Sequence, residues 1–146
     1  MSKIKSYRGL MADGVQEKIA LSTNNGMTGY RIVKLELFSA NPGLVTQESV
    51  FKVFTIPQTT VTSTVDFSKP ELIGAGYLSV NTSNIYPGFL SVTFDNTIFN
   101  QDIYITHVDN STGEALNYHI ELEQMSLDLN EQTVTTLKDI RNIGAE

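Results

Sequence analysis

VQEKIALSTNNGMTGYRIVKLELF, residues 15–38, is the stretch whose reading decides the fold class. Val15, Glu17, Ile19 and Leu21 alternate with Gln16, Lys18, Ala20 and Ser22, which is the period of two of a strand with one buried face. Asn24, Asn25 and Gly26 tolerate the left-handed backbone that a tight turn requires. Alternation resumes over residues 30–38, with Val33, Leu35 and Leu37 expected inward and Lys34 and Glu36 outward. The expectation is a β-hairpin joining these two runs.

On the N-terminal side, residues 1–14 are polar and close on Asp13-Gly14, a turn pair, so they read as an arm ahead of the folded domain. On the other side Asn41-Pro42-Gly43 breaks the chain, and residues 50–56 follow with apolar side chains on both faces, the mark of a central or covered strand. After Pro57 the threonine-rich residues 59–64 lead to Val65 and Phe67, expected as a short edge strand. Ser68-Lys69-Pro70-Glu71 has the cap, proline and early acid of a single helical turn over Leu72 and Ile73. Strands recur at residues 77–81, 88–95 and 102–108, and the polar loop 109–117 joins Ile103/Ile105 to Tyr118/Ile120/Leu122 as a second expected hairpin. Alternation slips between Leu122 and Met125, marking a bulge or the strand end. From residue 130 onward Val134, Leu137 and Ile140 recur at threes, with Lys138 and Arg141 in the last turns and Gly144 after them, the pattern of a short amphipathic helix.

The reading is an arm (1–14), a β-sandwich domain (15–129) and a C-terminal helix with tail (130–146). Val, Ile, Thr, Tyr and Phe make up 52 of 146 residues, which agrees with an all-β chain. Regular strand spacing without alternating helices points to two antiparallel sheets, preferably a jelly roll, with an immunoglobulin-like order as the alternative.

Cysteine and tryptophan are absent, which removes disulfides, thiolate metal sites and cysteine nucleophiles. No apolar run follows the basic N-terminus and none approaches the roughly 18 residues of a membrane span, so a soluble chain with no membrane partner and no secretory signal is expected. The net charge of −6 argues against nucleic-acid binding. It is unevenly spread: residues 1–14 hold Lys3, Lys5, Arg8 and one acid, Asp13, for +2, which leaves −8 for the rest. Opposite signs on the two parts suit contact between neighbouring copies or with an assembly.

Candidate chemistry is sparse. His107 and His119 flank the 109–117 loop, so a hairpin there would set them opposite each other with Glu121 nearby, as two polar residues on an exposed face or as part of a metal site without a specified third ligand. The loop itself is rich in oxygen donors but lacks the glycine and late glutamate of a helical calcium loop. Neither a Gly-x-Ser-x-Gly elbow nor a phosphate loop occurs. Asn81-Thr82-Ser83 and Asn110-Ser111-Thr112 match the glycosylation pattern but read as turn chemistry. Tyr30, Tyr77, Tyr86 and Tyr104 are candidates for stacking on sugar rings, or for core and interface packing. No catalytic residue, cofactor or metal ligand is assigned and no enzyme is expected. The interface candidates are Lys3, Lys5 and Arg8 of the arm with Val134, Leu137 and Ile140 of the helix.

Three stretches carry a resemblance: GVQEKIALSTNNGMTGYRIVKLELFSANPG (14–43), FNQDIYI (99–105) and NYHIELEQMSLDLNEQTVTTLKDIRNI (117–143). They resemble small proteins of tailed double-stranded DNA phages of marine bacteria. The resemblance implies a virion component made in the cytoplasm of a bacterial host, a capsid decoration or cement protein whose partner is the major capsid protein. It would act as a homo-oligomer, a trimer being favoured. The alternative is a glycan-binding or host-attachment module of a tail or fibre.

Overall fold

Period-two alternation organises nearly the whole chain, and the computed structural model, which describes residues 3–21, 27–81, 88–94 and 96–127, shows how the strands are paired. In chain order they are β1 (Lys3–Met11), β2 (Val15–Ile19), β3 (Thr28–Ser39), β4 (Gln47–Phe54), β5 (Leu72–Val80), β6 (Gly88–Thr93), β7 (Ile103–Asp109) and β8 (Leu116–Ser126). No helix occurs among the described residues. The strands make two antiparallel sheets, ordered β1-β8-β3 and β2-β7-β4-β5-β6, which pack face to face as a β-sandwich.

The core lies between the sheets. Leu116, Tyr118, Ile120 and Leu122 of β8, with Ile32, Leu35 and Leu37 of β3, face Phe51 and Val53 of β4, Ile103 and Ile105 of β7 and Leu78 of β5. Phe51 stacks on Tyr118 across the layer with ring centroids 5.4 Å apart. Each such side chain, fully buried, contributes about 1.5–3 kcal/mol of transfer free energy. The sheets approach closely over β5: a Cβ on Gly76 would stand 2.8 Å from Cδ1 of Leu37. Glycine there lets a leucine of the opposite sheet rest on the strand backbone.

Several expectations are corrected by the pairing. The segment read as an arm is β1, paired with β8 from Lys3↔Gln124 to Met11↔Leu116. Its alternation was concealed because its inward side carries Lys5, Tyr7, Gly9 and Met11, with only two large apolar residues, while Ile4 and Leu10 point outward. Neither expected hairpin exists: β2 pairs with β7 and β3 with β8, in opposite sheets, and β7 and β8 are likewise separated. Turn chemistry favours a reversal of the chain but does not select the sheet it returns to. Connections of six to eight residues span the roughly 10 Å between sheets, and crossing lets the apolar faces of successive strands meet.

Val33 is the extra residue of a bulge between Ile32 and Lys34, so Ile32 takes the inward place expected for Val33, while Leu35 and Leu37 are inward as expected. The threonine-rich residues form no strand, and Leu72 and Ile73 begin β5 rather than a helical turn. β4 is both central and covered: residues 55–71 lie over its outer face, Lys52 Nζ donating to the Thr64 carbonyl (2.6 Å) and Gln16 Nε2 to the Gln58 carbonyl, while the Gln58 amide donates back to Gln16 Oε1. Phe54, Ile56 and Leu72 are buried beneath. Asn41-Pro42-Gly43 forms the expected break, with Gly43 at φ 82°. The C-terminal helix expectation lies outside the described residues.

The Gly76→Ala variant is expected to lower the urea midpoint by the equivalent of about 1–3 kcal/mol through overpacking against Leu37. Gly88→Ala, whose Cβ would meet among the described residues only Ser79 Cβ at 3.9 Å, should stay within about 0.5 kcal/mol of the parent. Equal effects from the two would contradict the packing described.

Candidate functional site

A period of two that buries one face of β8 must present the other. The outer face of the three-stranded sheet carries Ile4, Ser6, Arg8 and Leu10 on β1, Asn117, His119, Glu121 and Glu123 on β8, and Arg31, Lys34, Glu36 and Phe38 on β3. Its charges are cross-linked. Arg31 Nε lies 2.5 Å from Glu123 Oε1, and Lys34 Nζ lies 3.1 Å from Glu36 Oε1. His119 sits between Glu36 (3.8 Å) and Glu121 (4.0 Å). The hydrogen bond and charge of Glu36 raise Lys34 above the ordinary lysine value.

At one end of this face, over strands that remain paired, lies a shallow depression of about 680 Å³ lined by Arg8, Leu10, Glu36, Phe38, Asn117 and His119. Arg8 stands opposite His119 in the β1–β8 register and makes no ion pair with a described residue. Leu10 and Phe38 are 57% and 65% exposed. Apolar side chains around one uncommitted guanidinium, in an open concavity, have the composition of a protein-binding surface, where arginine and aromatics are enriched.

Strand geometry also divides the basic residues that were grouped in sequence. Arg8 faces outward, whereas Lys5 is on the opposite side of β1 with Nζ 5.7 Å from the Tyr30 ring centroid, and Lys3 is exposed at the strand start. Only Arg8 joins the depression. Phe38 and Leu10 were missed as site residues; the available signal was two large apolar side chains on positions that alternate outward. Val134, Leu137 and Ile140 lie outside the described residues.

The histidines are not brought together. His107, fully buried on β7, has Nδ1 3.0 Å from the Ala12 carbonyl and Nε2 2.8 Å from Ser49 Oγ. A carbonyl only accepts, so Nδ1 carries a hydrogen, and Ser49 Oγ, which Nε2 contacts, accepts in turn from Gln47 Nε2 (2.7 Å). His119 is on the other sheet, facing outward, because the expected hairpin does not form. Among the described residues no cluster of three or more His, Asp or Glu is arranged for a metal ion. Of the tyrosines, Tyr30 is buried, Tyr77 is exposed and Tyr104 half-buried, while Tyr86 lies outside the described residues.

The oxygen-rich loop has a structural use. Asp109 accepts from the amides of Glu48 (2.8 Å), Ser111 (3.2 Å) and Glu114 (2.6 Å), which anchors the crossing between β7 and β8. Burial alone would raise its pKa; the amides of Glu114, Glu48, Ser111 and Gly113 together outweigh it and hold the carboxyl below the usual range.

Among the described residues two further cavities bear on function. One, about 280 Å³, lies between residues 58–71 and β4, with Lys52, Lys69, Asp66, Glu71 and threonines around Phe54. Burial, and then the Lys69 charge, pull Lys52 below the ordinary lysine value. The other, about 380 Å³, is apolar and opens between the sheets beside Phe38, Leu78 and Phe89. No helix of the described residues is long and apolar enough to cross a membrane.

No family model matches this sequence, and no curated protein matches it.

Because the folded pKa of Asp109 is depressed, its contribution is present above the unfolded value near 3.9 and is lost as pH falls through the folded value. Asp109→Ala should therefore cost on the order of 2–3 kcal/mol at neutral pH. The gap between variant and parent should narrow on acidification below about pH 4. Chemical denaturation across this range reads it; a constant gap would mean that the carboxylate charge does not hold these amides.

Proposed function

We propose that this protein is a structural component of a phage virion, a decoration or cement protein that binds the outside of the head and bridges subunits of the major capsid protein. The observation that supports this reading is the depression around Arg8, Leu10 and Phe38: an open surface with exposed apolar area and an uncommitted cation, suited to docking on a protein. On a lattice each contact is weak, and several copies add through effective concentration. Val134, Leu137 and Ile140 would extend the contact from the C-terminal segment, and Lys3 and Lys5 would add long-range attraction to an acidic neighbour.

The finer fold assignment belongs with this proposal. A long antiparallel ribbon of eight strands pairs β1 with β8, β2 with β7, β3 with β6 and β4 with β5; wrapping it over itself brings β8 beside β3 and β7 beside β4, which is a jelly roll. Every one of these pairings is present except β3 with β6, since β6 pairs with β5 instead. Jelly rolls serve both capsid and lectin roles. A second reading, a glycan-binding module of a tail or fibre, is favoured by the threonine-walled cavity floored by Phe54.

Co-sedimentation with empty capsids tests the first reading. The Arg8→Glu, Phe38→Asp double variant should show about tenfold lower occupancy or less, and the Arg8→Glu effect should shrink in high salt. Occupancy equal to the parent's would overturn it, and saturable binding on a glycan array with none to capsids would favour the second.

A further inference from the structure

A buried charged side chain is ordinarily paired, yet two that line the cavity of about 280 Å³ between residues 58–71 and β4 have no counter-ion among the described residues. Lys52 of β4 is 5% exposed. Its Nζ donates to the neutral Thr64 carbonyl at 2.6 Å and stands 5.5 Å from the Phe54 ring centroid. Glu71, just before β5, is 3% exposed. Its backbone carbonyl accepts from the Thr55 amide at 3.0 Å, but its side-chain Oε2 has no hydrogen-bond partner.

Burial without a partner costs stability, and uncharged side chains of similar size would avoid most of that cost. Exposed Lys69 lines the same cavity. It is close enough that its charge, after burial, is what pulls Lys52 below the ordinary lysine value, the reverse of what an ion-paired ammonium shows. The lysine side of the cavity is therefore short of an anion, and Glu71 Oε2 is short of a donor. Much of the remaining wall is threonine, whose hydroxyl both donates and accepts, around the apolar ring of Phe54.

We infer that this cavity binds a small hydroxylated carboxylate, a single acidic monosaccharide ring of the uronic acid class, with its carboxylate on Lys52 and Lys69 and a hydroxyl donating to Glu71. The volume lies just below the roughly 300–1,000 Å³ of sites for drug-sized ligands, which suits one ring. A neutral sugar would leave Lys52 unpaired. An α-amino acid would bring a carboxylate and a donor, but no ring for the Phe54 side and no set of hydroxyls for the threonines. The ligand class rests on the glycan reading above and is independent of the capsid reading, which uses the other sheet.

Amide NMR of the full chain, titrated in turn with glucuronate, glucose and alanine, tests this. Glucuronate should bind saturably and shift amides within residues 52–72, while glucose and alanine bind about tenfold more weakly or less. Lys52→Met, which keeps the apolar stem and removes the charge, should weaken glucuronate about tenfold or more. Should that variant fold poorly, Lys69→Met at the exposed rim should weaken it about threefold with thermal unfolding unchanged. Lys34→Met, on the other sheet, should bind as the parent does. Glucose bound as tightly as glucuronate at these residues would overturn the inference and uphold the glycan reading. Alanine preferred to glucuronate, no glucuronate binding at these residues, or binding insensitive to both cavity-lysine variants would also overturn it; an array glycan bound elsewhere on the chain would then leave the glycan reading standing.

Discussion

Neither sheet can bury its apolar face alone, and the layer in which Phe51 stacks on Tyr118 and Leu37 rests on Gly76 is where each covers the other. Everything else follows from closing that layer. Strands adjacent in sequence are sent to opposite sheets so that their apolar sides meet: β2 and β3, β7 and β8 are each divided in this way. Closing it also draws the beginning and end of the described chain together, since the three-stranded sheet is completed only by pairing β1 with β8.

The outer faces inherit their character from the same constraint. Once Leu116, Tyr118, Ile120 and Leu122 point inward, Asn117, His119, Glu121 and Glu123 must point outward, and the charges on β1 and β3 fall beside them in register. The larger sheet is treated differently. Its central strand β4 is apolar on both sides, and residues 55–71 fold back to cover it instead of adding a strand. That cover reaches Phe94, on which Phe67 packs edge-on at 5.3 Å, and leaves Leu90 and Val92 in solvent. The surface open to a partner is thus the end of the three-stranded sheet where the outward positions turn apolar, at Leu10 and Phe38.

How much of this was legible depended on whether a local signal was complete. The all-β class, the central strand over residues 50–54, the turn at Gly43 and the inward Leu35 and Leu37 were readable, because alternation and turn chemistry are properties of neighbouring residues. β1 was not, because Lys5 and Gly9 occupy inward positions and mute the pattern; Gly9 is there to make room for the Tyr118 ring, whose hydroxyl would stand 2.9 Å from a Cβ. Val33 was misassigned because a bulge shifts the phase by one residue without any mark in composition. Of the site, Arg8 was singled out from its charge, while Leu10 and Phe38 are ordinary apolar residues until their faces are known.

By itself the sequence determined that this chain forms antiparallel strands with one apolar face each, that it lacks cysteine chemistry, and where its acidic and basic residues are concentrated. Only the tertiary structure decided which strands pair, that the basic N-terminal segment is a sheet edge, and that His107 and His119 stand apart. The physical reason is range. Alternation is set by bond geometry within a few residues, whereas strand partnership is set by which apolar faces can cover one another, and that is a property of the whole chain.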